Sequence, residues 1–515
     1  MAVTPHVVGT AVTRSSDELV QALGLFDSTM IVIGSMIGSG IFIVSADIAH
    51  QVQSPGLLIL VWLLAGLMTL ICALCYGELA AAMPQAGGQY VYLRESLGPL
   101  AGFLYGWTML LVIQTATIAA VAIAFAKFAA VILPWFSASE WIWSMGTFGP
   151  WRLWFGSLGP YHVGLNHQNL LAILSIAFLT WLNTRGLRVG KLVQNIFTVA
   201  KTGALAAVVL LGFSYSTALA RAANFSGFWR NAGWKAMHPY PPGDPTAMIG
   251  TLTLVGVAMV GSLFAMDAWN NVTFTAAEVK TPRRNLPLSL ALGTGTVILL
   301  YTLANLAYLR VLPLVGNPSG STALERGIDF AADGRVATAA MQVIFGPSGA
   351  ILMAVAILVS AFGCNNGLIL SGARIYYAMA KDGLFFASTG TVNKNHAPGA
   401  ALVLQCVWAC VLCLSGTYGQ LLDFLIFAVV IFYILTLSGL FLLRWKRPDM
   451  DRPYRAFGYP FLPALYLVMA IFLEIQLLRY KPQYTWPGLI IVLLGLPVYG
   501  VWKWVRGRRT LARPA

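Results

Sequence analysis

Charge is what this chain has least of. Acidic residues number 18 and basic residues 32 in 515, so charged side chains make up 10% of it, where a soluble domain carries about 25%. That scarcity excludes a water-soluble body. Cysteine is equally sparse: Cys72, Cys75, Cys364, Cys406, Cys410 and Cys413 all sit inside apolar runs, where a free thiol behaves as a small hydrophobe. No disulfide framework or zinc site follows, and the Cys72/Cys75 pair lacks the βαβ context of a redox motif. The six histidines fall at span ends, in loops or in the N-terminal tail, and no HExxH occurs, so the pattern of a membrane-embedded metallohydrolase is missing. The first turns of sequence hold Arg14, Asp17, Glu18 and Asp27 with no isolated apolar stretch before small residues, and no removable signal peptide is expected. Neither a metal nor a cofactor is expected.

What is abundant is apolar length. Hydrophobic residues reach 58% and mean hydropathy is +0.75. Runs near the 20 residues that span about 30 Å of hydrocarbon predict an all-α integral membrane protein with twelve spans: 28–50, 56–83, 99–133, 168–185, 190–214, 247–276, 287–312, 345–380, 400–415, 419–444, 461–480 and 485–504. A transmembrane barrel would show shorter alternating segments instead. The basic clusters Arg185/Arg188/Lys191, Lys280/Arg283/Arg284, Arg444/Lys446/Arg447 and Lys503/Arg506/Arg508/Arg509 fall in alternate loops, on the side shared by both termini. The net charge of +14 therefore sets orientation in a lipid bilayer, with both termini in the cytoplasm of a multi-pass cell-membrane protein; nucleic acid is not expected as a partner. The Trp-rich loop 134–167, with Trp135, Trp141, Trp143, Trp151 and Trp154, reads as an interfacial aromatic belt. In the 313–344 loop, Leu324–Phe330 and Val336–Ile344 read as an outer-face or re-entrant helix.

Two spans are interrupted by polar and small residues: GSMIGSGIF at Gly34–Phe42 and GSLFAMDAWN at Gly261–Asn270. Lipid leaves backbone groups unsatisfied, so a broken helix at membrane depth fits only where it lines a protein cavity. The breaks fall in the first and sixth spans. Five spans separate them, and an odd repeat length inverts the second copy, so spans one to five (28–214) and six to ten (247–444) form an inverted 5+5 repeat. The remaining segments are the N-terminal stretch 1–27, the outer loop 215–246, the inner loop 445–460, the last two spans 461–504 and the basic tail 505–515.

Gly38, Ser39 and Gly40 free backbone N–H groups, and the helix restarting at Ile41 points its N-terminus at the break, which suits a carboxylate. The half-helix ending at Met36 and Ile37, and its counterpart at Phe264 and Ala265, present carbonyls that suit an ammonium group. Together they complement the zwitterionic head of an α-amino acid. A small-residue packing motif is the structural alternative for GSGIF. Asp267 either caps the second half-helix, with Asn270 three residues on, or contacts a substrate amine. Phe264 stands where it would close over a substrate, or it is a packing aromatic.

Lys201 lies ten residues beyond Lys191, about 15 Å deeper on a helix and near the midplane. An ammonium there needs carbonyl or hydroxyl partners. Ser360 is expected to be one of them, and Lys201 serves either as a fixed cation or as a proton carrier. Asn365 and Asn366 either line the cavity or bond across helices, and Gln114 is a further cavity candidate. Lys127, near a span end, is expected to snorkel.

GSMIGSGIF, SLFAMDAWNNVTFTAAEVKTPRRNLP, SAFGCNNGLILSGARIYYAMAKDG and RPYRAFGYPFLPALY together resemble the amino acid-polyamine-organocation superfamily, most closely the L-type amino acid transporter family and its bacterial relatives. The resemblance implies a LeuT-type repeat, alternating access and sodium-independent transport of neutral L-amino acids as exchanger or facilitator. It also implies that positions matching Ser39 and Gly40 take the substrate carboxylate, carbonyls matching Met36, Phe264 and Asp267 take the amine, and Phe264 gates. Lys201, in LVQNIFTVAK, matches a lysine that occupies the place of a sodium ion and links spans one and eight. Met266-Asp267-Ala268 departs from the Tyr-Gly-Gly-like sequence of many eukaryotic members. No cysteine occurs in loop 134–167, so no disulfide-linked heavy chain is expected. Other readings are proton-coupled symport through Lys201, transport of cationic amino acids or polyamines, for which Asp267 is the sole deep carboxylate, and a channel or non-transporting sensor.

Overall fold

Apolar runs this long become helices because a helix satisfies its own backbone within the segment. The computed structural model describes residues 19–153, 156–158, 160–230, 245–415 and 425–511. Its helices are α1 (Leu25–Met36), α2 (Gly40–Val52), α3 (Pro55–Ala82), α4 (Gln89–Leu97), α5 (Pro99–Ile132), α6 (His167–Thr184), α7 (Leu187–Ser214) and α8 (Ala218–Phe225). They continue with α9 (Pro245–Ala265), α10 (Asn271–Phe274), α11 (Pro282–Val311), α12 (Ala323–Arg326), α13 (Val336–Phe345), α14 (Pro347–Lys381), α15 (Gly399–Ser415), α16 (Leu425–Lys446), α17 (Phe461–Tyr480) and α18 (Pro482–Leu511). Among the described residues eight helices are long and apolar enough to cross a membrane, and nine when the bent pair α1 and α2 counts as one span. Proline at the first turn starts α3, α5, α11 and α14, where its missing N–H costs nothing.

Both interruptions are real. Helix α1 stops at Met36, Ile37 turns to extended backbone, and α2 restarts at Gly40 at 40° to α1. In the second, α9 ends at Ala265, and a single α-helical turn, α10, with the 3-10 turn Ala276–Glu278 after it, follows the gap. Ala268 there takes a φ of 64°, a left-handed conformation that costs a non-glycine residue about 1 kcal/mol or more. Within α5 a π-helical turn covers Met109–Ile113.

Helix α1 packs between α7, α11 and α14, while α2 packs on α9, so the two breaks lie side by side in the bundle. The contact is close: a β-carbon added to Gly40 would sit 2.8 Å from Ala265 Cβ. Loop 134–167 holds short strands. Strand β1 (Trp141–Phe148) pairs antiparallel with β4 (Tyr161–Asn166), and β2 (Trp151–Leu153) with β3 (Gly156–Leu158). Trp141, Trp143 and Trp151 are exposed on these strands, Trp135 is exposed in the 3-10 turn Pro134–Phe136 that precedes them, and Trp154 lies outside the described residues. The all-helical expectation is corrected by these short strands; alternating tryptophans signal strands and belts alike. In the 313–344 loop, helix is confined to α12, α13 and a short 3-10 turn.

Candidate functional site

The first break is held by a buried cation. Lys201 is fully buried on α7, and its Nζ donates to the carbonyls of Gly34 (2.5 Å) and Ile37 (2.7 Å) and, more distantly, to Ser360 O on α14 (3.4 Å). In an unbroken helix the Gly38 amide would occupy Gly34 O; here it turns to Met36 O instead. The lysine thus supplies the donor that the break removes. Ser360 Oγ donates to Gly38 O at 3.1 Å and lies 3.3 Å from Ile37 O, and Cys364 Sγ reaches Ser35 O. Ser360 therefore touches both Lys201 and the break.

Lys201 ends a polar stripe along α7 whose i, i+3/i+4 spacing puts it on one face. Lys191 and Asn195 bind Asp27, and Thr198 Oγ1 donates to Met30 O. Gln194 and Thr198 fill the space beside Gly34, where no β-carbon fits. The stripe grips α1 along its length. Of the two roles open to Asn366, bonding across helices is the one observed: it accepts from Asn183 and donates to Gln194 and Gly190 O. Asn365 is buried, and its Oδ1 has no hydrogen-bond partner among the described residues.

At the second break, Asp267 does not cap α10; Asn270 occupies the N-cap position, without a side-chain cap bond. The Asp267 carboxylate instead accepts a 2.6 Å hydrogen bond from the Tyr433 hydroxyl on α16. Tyr433 stacks on Trp269, and Tyr76 packs edge-on against both. Asn270 donates to Gln89, which donates to Thr436. Asp267, Asn270 and Gln114 line one small cavity beside the π-turn of α5, and a second small void lies on the far side of Asp267 and Tyr433. Each is about 20 Å³, room for a water or two.

The carbonyls expected to meet an amine are differently placed. Met36 O accepts from the Tyr301 hydroxyl at 3.0 Å, and Ile37 O from Lys201. Phe264 O accepts the Asp267 amide, and Ala265 abuts Gly40. Gly38 lies against Cys364, and Ser39 is buried at the N-cap of α2. The Gly40 and Ile41 amides open α2, where no carbonyl one turn earlier can accept them.

Access to this center is asymmetric. Toward the face opposite the termini a cavity of about 480 Å³ opens, with Phe264 at its wall and Asp47, His50, Lys127 and Lys481 among its lining. Lys127 Nζ reaches the Asp333 carbonyl in the outer loop. On the termini side, ion pairs knit the helices together. Arg374 grips Glu278 through two 2.9 Å bonds, both side chains buried. Glu78 holds Arg444 and Arg452, Arg94 pairs with Asp382, and Leu23 bridges Val279. Sequence reasoning missed the Glu278–Arg374 pair, although both residues lie inside the motifs quoted above; Arg374, a charge within the apolar run of the eighth span, was the available signal.

Comparison with known proteins bears on this arrangement. The family model described as "Amino acid permease" matches residues 23–498. The chain is 29% identical to "Large neutral amino acids transporter small subunit 2" of Mus musculus over 485 residues, 93% of this chain and 81% of that protein. It is 28% identical to "Asc-type amino acid transporter 1" of Homo sapiens over 486 residues (93% and 82%) and 26% identical to "b(0,+)-type amino acid transporter 1" of Mus musculus over 488 (93% and 88%). The match runs from the strand-like bridge at Leu23 through both broken helices and the Lys201 cage to the last helix, and the chain accordingly belongs to the amino acid permease family, as a membrane transporter and not an enzyme.

Proposed function

We propose that this chain is a sodium-independent secondary transporter of neutral L-amino acids, working by alternating access as an exchanger or facilitator. The observation that carries the reading is the Lys201 ammonium seated among the Gly34, Ile37 and Ser360 oxygens. An oxygen-only cage is what a hard cation requires, and a covalently attached cation there makes a bound sodium ion superfluous. All three partners are acceptors, so the lysine acts as a three-donor cation; none is a base that would relay a proton, which sets proton-coupled symport second.

In this reading Ser39, with the backbone of Gly38 and Gly40, takes the substrate carboxylate at the N-terminus of α2. The amine is taken by the carbonyls of Met36, Ile37, Phe264 and Ala265, whose second lone pairs can accept it beside the bonds that Met36, Ile37 and Phe264 already make, and by Asp267, with Phe264 as outer gate. Asp267, the carboxylate at the breaks among the described residues and already bonded to Tyr433, fits a zwitterion better than a polyamine. Relatives named for large neutral amino acids support the substrate class.

The twelve-span, 5+5 inverted repeat is part of the same proposal. Two of the most extensive helix–helix interfaces, α3 with α11 and α5 with α14, join the second span to the seventh and the third to the eighth, as equivalent helices meeting across a shared axis would. Both termini are cytoplasmic, and the cell membrane is the location. Because the cysteines all lie in helices, the chain acts without a disulfide-linked heavy chain, although one relative is named a small subunit.

The test is uptake into proteoliposomes with a panel of competing amino acids. Competition confined to neutral amino acids, with internal substrate stimulating uptake, is expected. Uptake driven by an imposed pH gradient and competed by polyamines would overturn the reading.

A further inference from the structure

The termini side carries a further cavity, of about 450 Å³, whose lining includes no residue of the two breaks. It lies between the start of α5, the loop after α14 and the end of α18. Its lining includes Arg94, Lys503 and Arg506, the carboxylate of Asp382, and the rings of Tyr499 and Trp502. Asp382 is already taken by Arg94 and by a 2.7 Å bond from the Tyr90 hydroxyl. Three cations line the cavity with that one carboxylate, and Glu95 pairs with Arg94 from behind, so the site remains net cationic.

The cavity wall is built. Arg506 donates to the carbonyls of Asp382 and Gly383, and Trp502 Nε1 to Gly383 O. Gly383 takes a φ of 69° and lies so close to the Arg506 guanidinium that a β-carbon would collide with it. The apolar Pro99 and Leu384 are part of the lining, and Leu100 and Trp504, next to lining residues in the sequence, are exposed; exposed apolar side chains of a membrane-spanning bundle meet acyl chains. Basic pockets between helices at the cytoplasmic interface, flanked by Trp and Tyr, match the headgroup level of an anionic leaflet.

We propose that this cavity binds the phosphate headgroup of an anionic phospholipid, with Lys503 and Arg506 on the phosphate and Trp502 and Tyr499 at the glycerol level. Phosphate chemistry is shared by free phosphate; the exposed apolar rim is what selects the lipid. The bound lipid joins α18 to the Arg94–Asp382 contact that closes the termini side.

The test titrates the purified full-length protein in detergent with short-chain phosphatidylglycerol, phosphatidylcholine or inorganic phosphate, following the unfolding temperature. Phosphatidylglycerol is expected to raise it saturably and the other two are not. Lys503→Gln should weaken the apparent affinity about fivefold and Lys503→Glu further, Lys503→Arg should restore it, and Lys446→Glu, an exposed charge on the same side, should leave it unchanged. Equal shifts from phosphatidylcholine, a phosphate effect matching the lipid, or equal losses in Lys446→Glu and Lys503→Glu would each overturn the proposal. Lys503 is exposed, and the unfolding temperature without lipid reports whether each variant is folded.

Discussion

Replacing Lys201 by methionine keeps the length of the side chain and removes its charge, and the structure gives the size of the consequence. The ammonium makes two short hydrogen bonds, to Gly34 O and Ile37 O. Bonds of a charged donor contribute about 1.5–3 kcal/mol each, but the variant also avoids burying a charge, which costs several kcal/mol. What remains is the penalty on acceptors left dry. Ile37 O is left with the single Ser360 hydroxyl proton that it shares with Gly38 O, and the Gly38 amide is committed to Met36 O, so Gly34 O loses its donor. One orphan carbonyl and a weakened second cost about 2–4 kcal/mol, or about a 30- to 700-fold loss in the population with α1 docked. Uptake by Lys201→Met should therefore fall at least tenfold and its unfolding temperature by several degrees. An unfolding temperature and uptake rate equal to those of the unaltered chain would refute the claim that this cation holds the break.

Further outcomes follow from the same geometry. Gly40→Ala places a β-carbon 2.8 Å from Ala265 Cβ, an overpacking worth about 1–3 kcal/mol; Ala265→Gly should recover most of the lost uptake in the double variant, and failure to do so would show that the breaks do not press on each other. Tyr433→Phe removes the bond to Asp267, worth about 1.5–3 kcal/mol to a charged acceptor, and should raise the substrate KM about tenfold with a smaller change in maximal rate. Arg374→Met leaves Glu278 buried without its cation, at about 3–5 kcal/mol. Labelling of a cysteine placed at Gln89 from the termini side should become faster, whereas unchanged labelling would show that the pair does not keep that side closed.

Much of the site was legible because it is written in local contrasts. Glycines, a serine and an aspartate inside apolar runs marked both breaks, and ten residues of helix placed Lys201 at depth. What was not legible depends on partners distant in the chain. Tyr433 and Tyr301 look like ordinary membrane aromatics until the fold brings their hydroxyls to Asp267 and Met36 O. Asp267 resembles a cap by spacing, yet the restart of helix is delayed to Asn271 by the left-handed turn at Ala268. The hairpin of β1 and β4 was hidden because tryptophans at alternate positions also suit an interface. Asn365 and Asn366 are neighbours of one type, and only the packing of α14 on α6 and α7 gives Asn366 its partners.

The central claim, that a resident lysine replaces sodium in an amino acid carrier, is tested most directly by counterflow. Proteoliposomes loaded with an unlabelled neutral L-amino acid and diluted into the labelled one, with sodium absent and pH equal on both sides, should accumulate label transiently and saturably at the rate seen with sodium present. Accumulation that appears only when sodium is added would contradict the account.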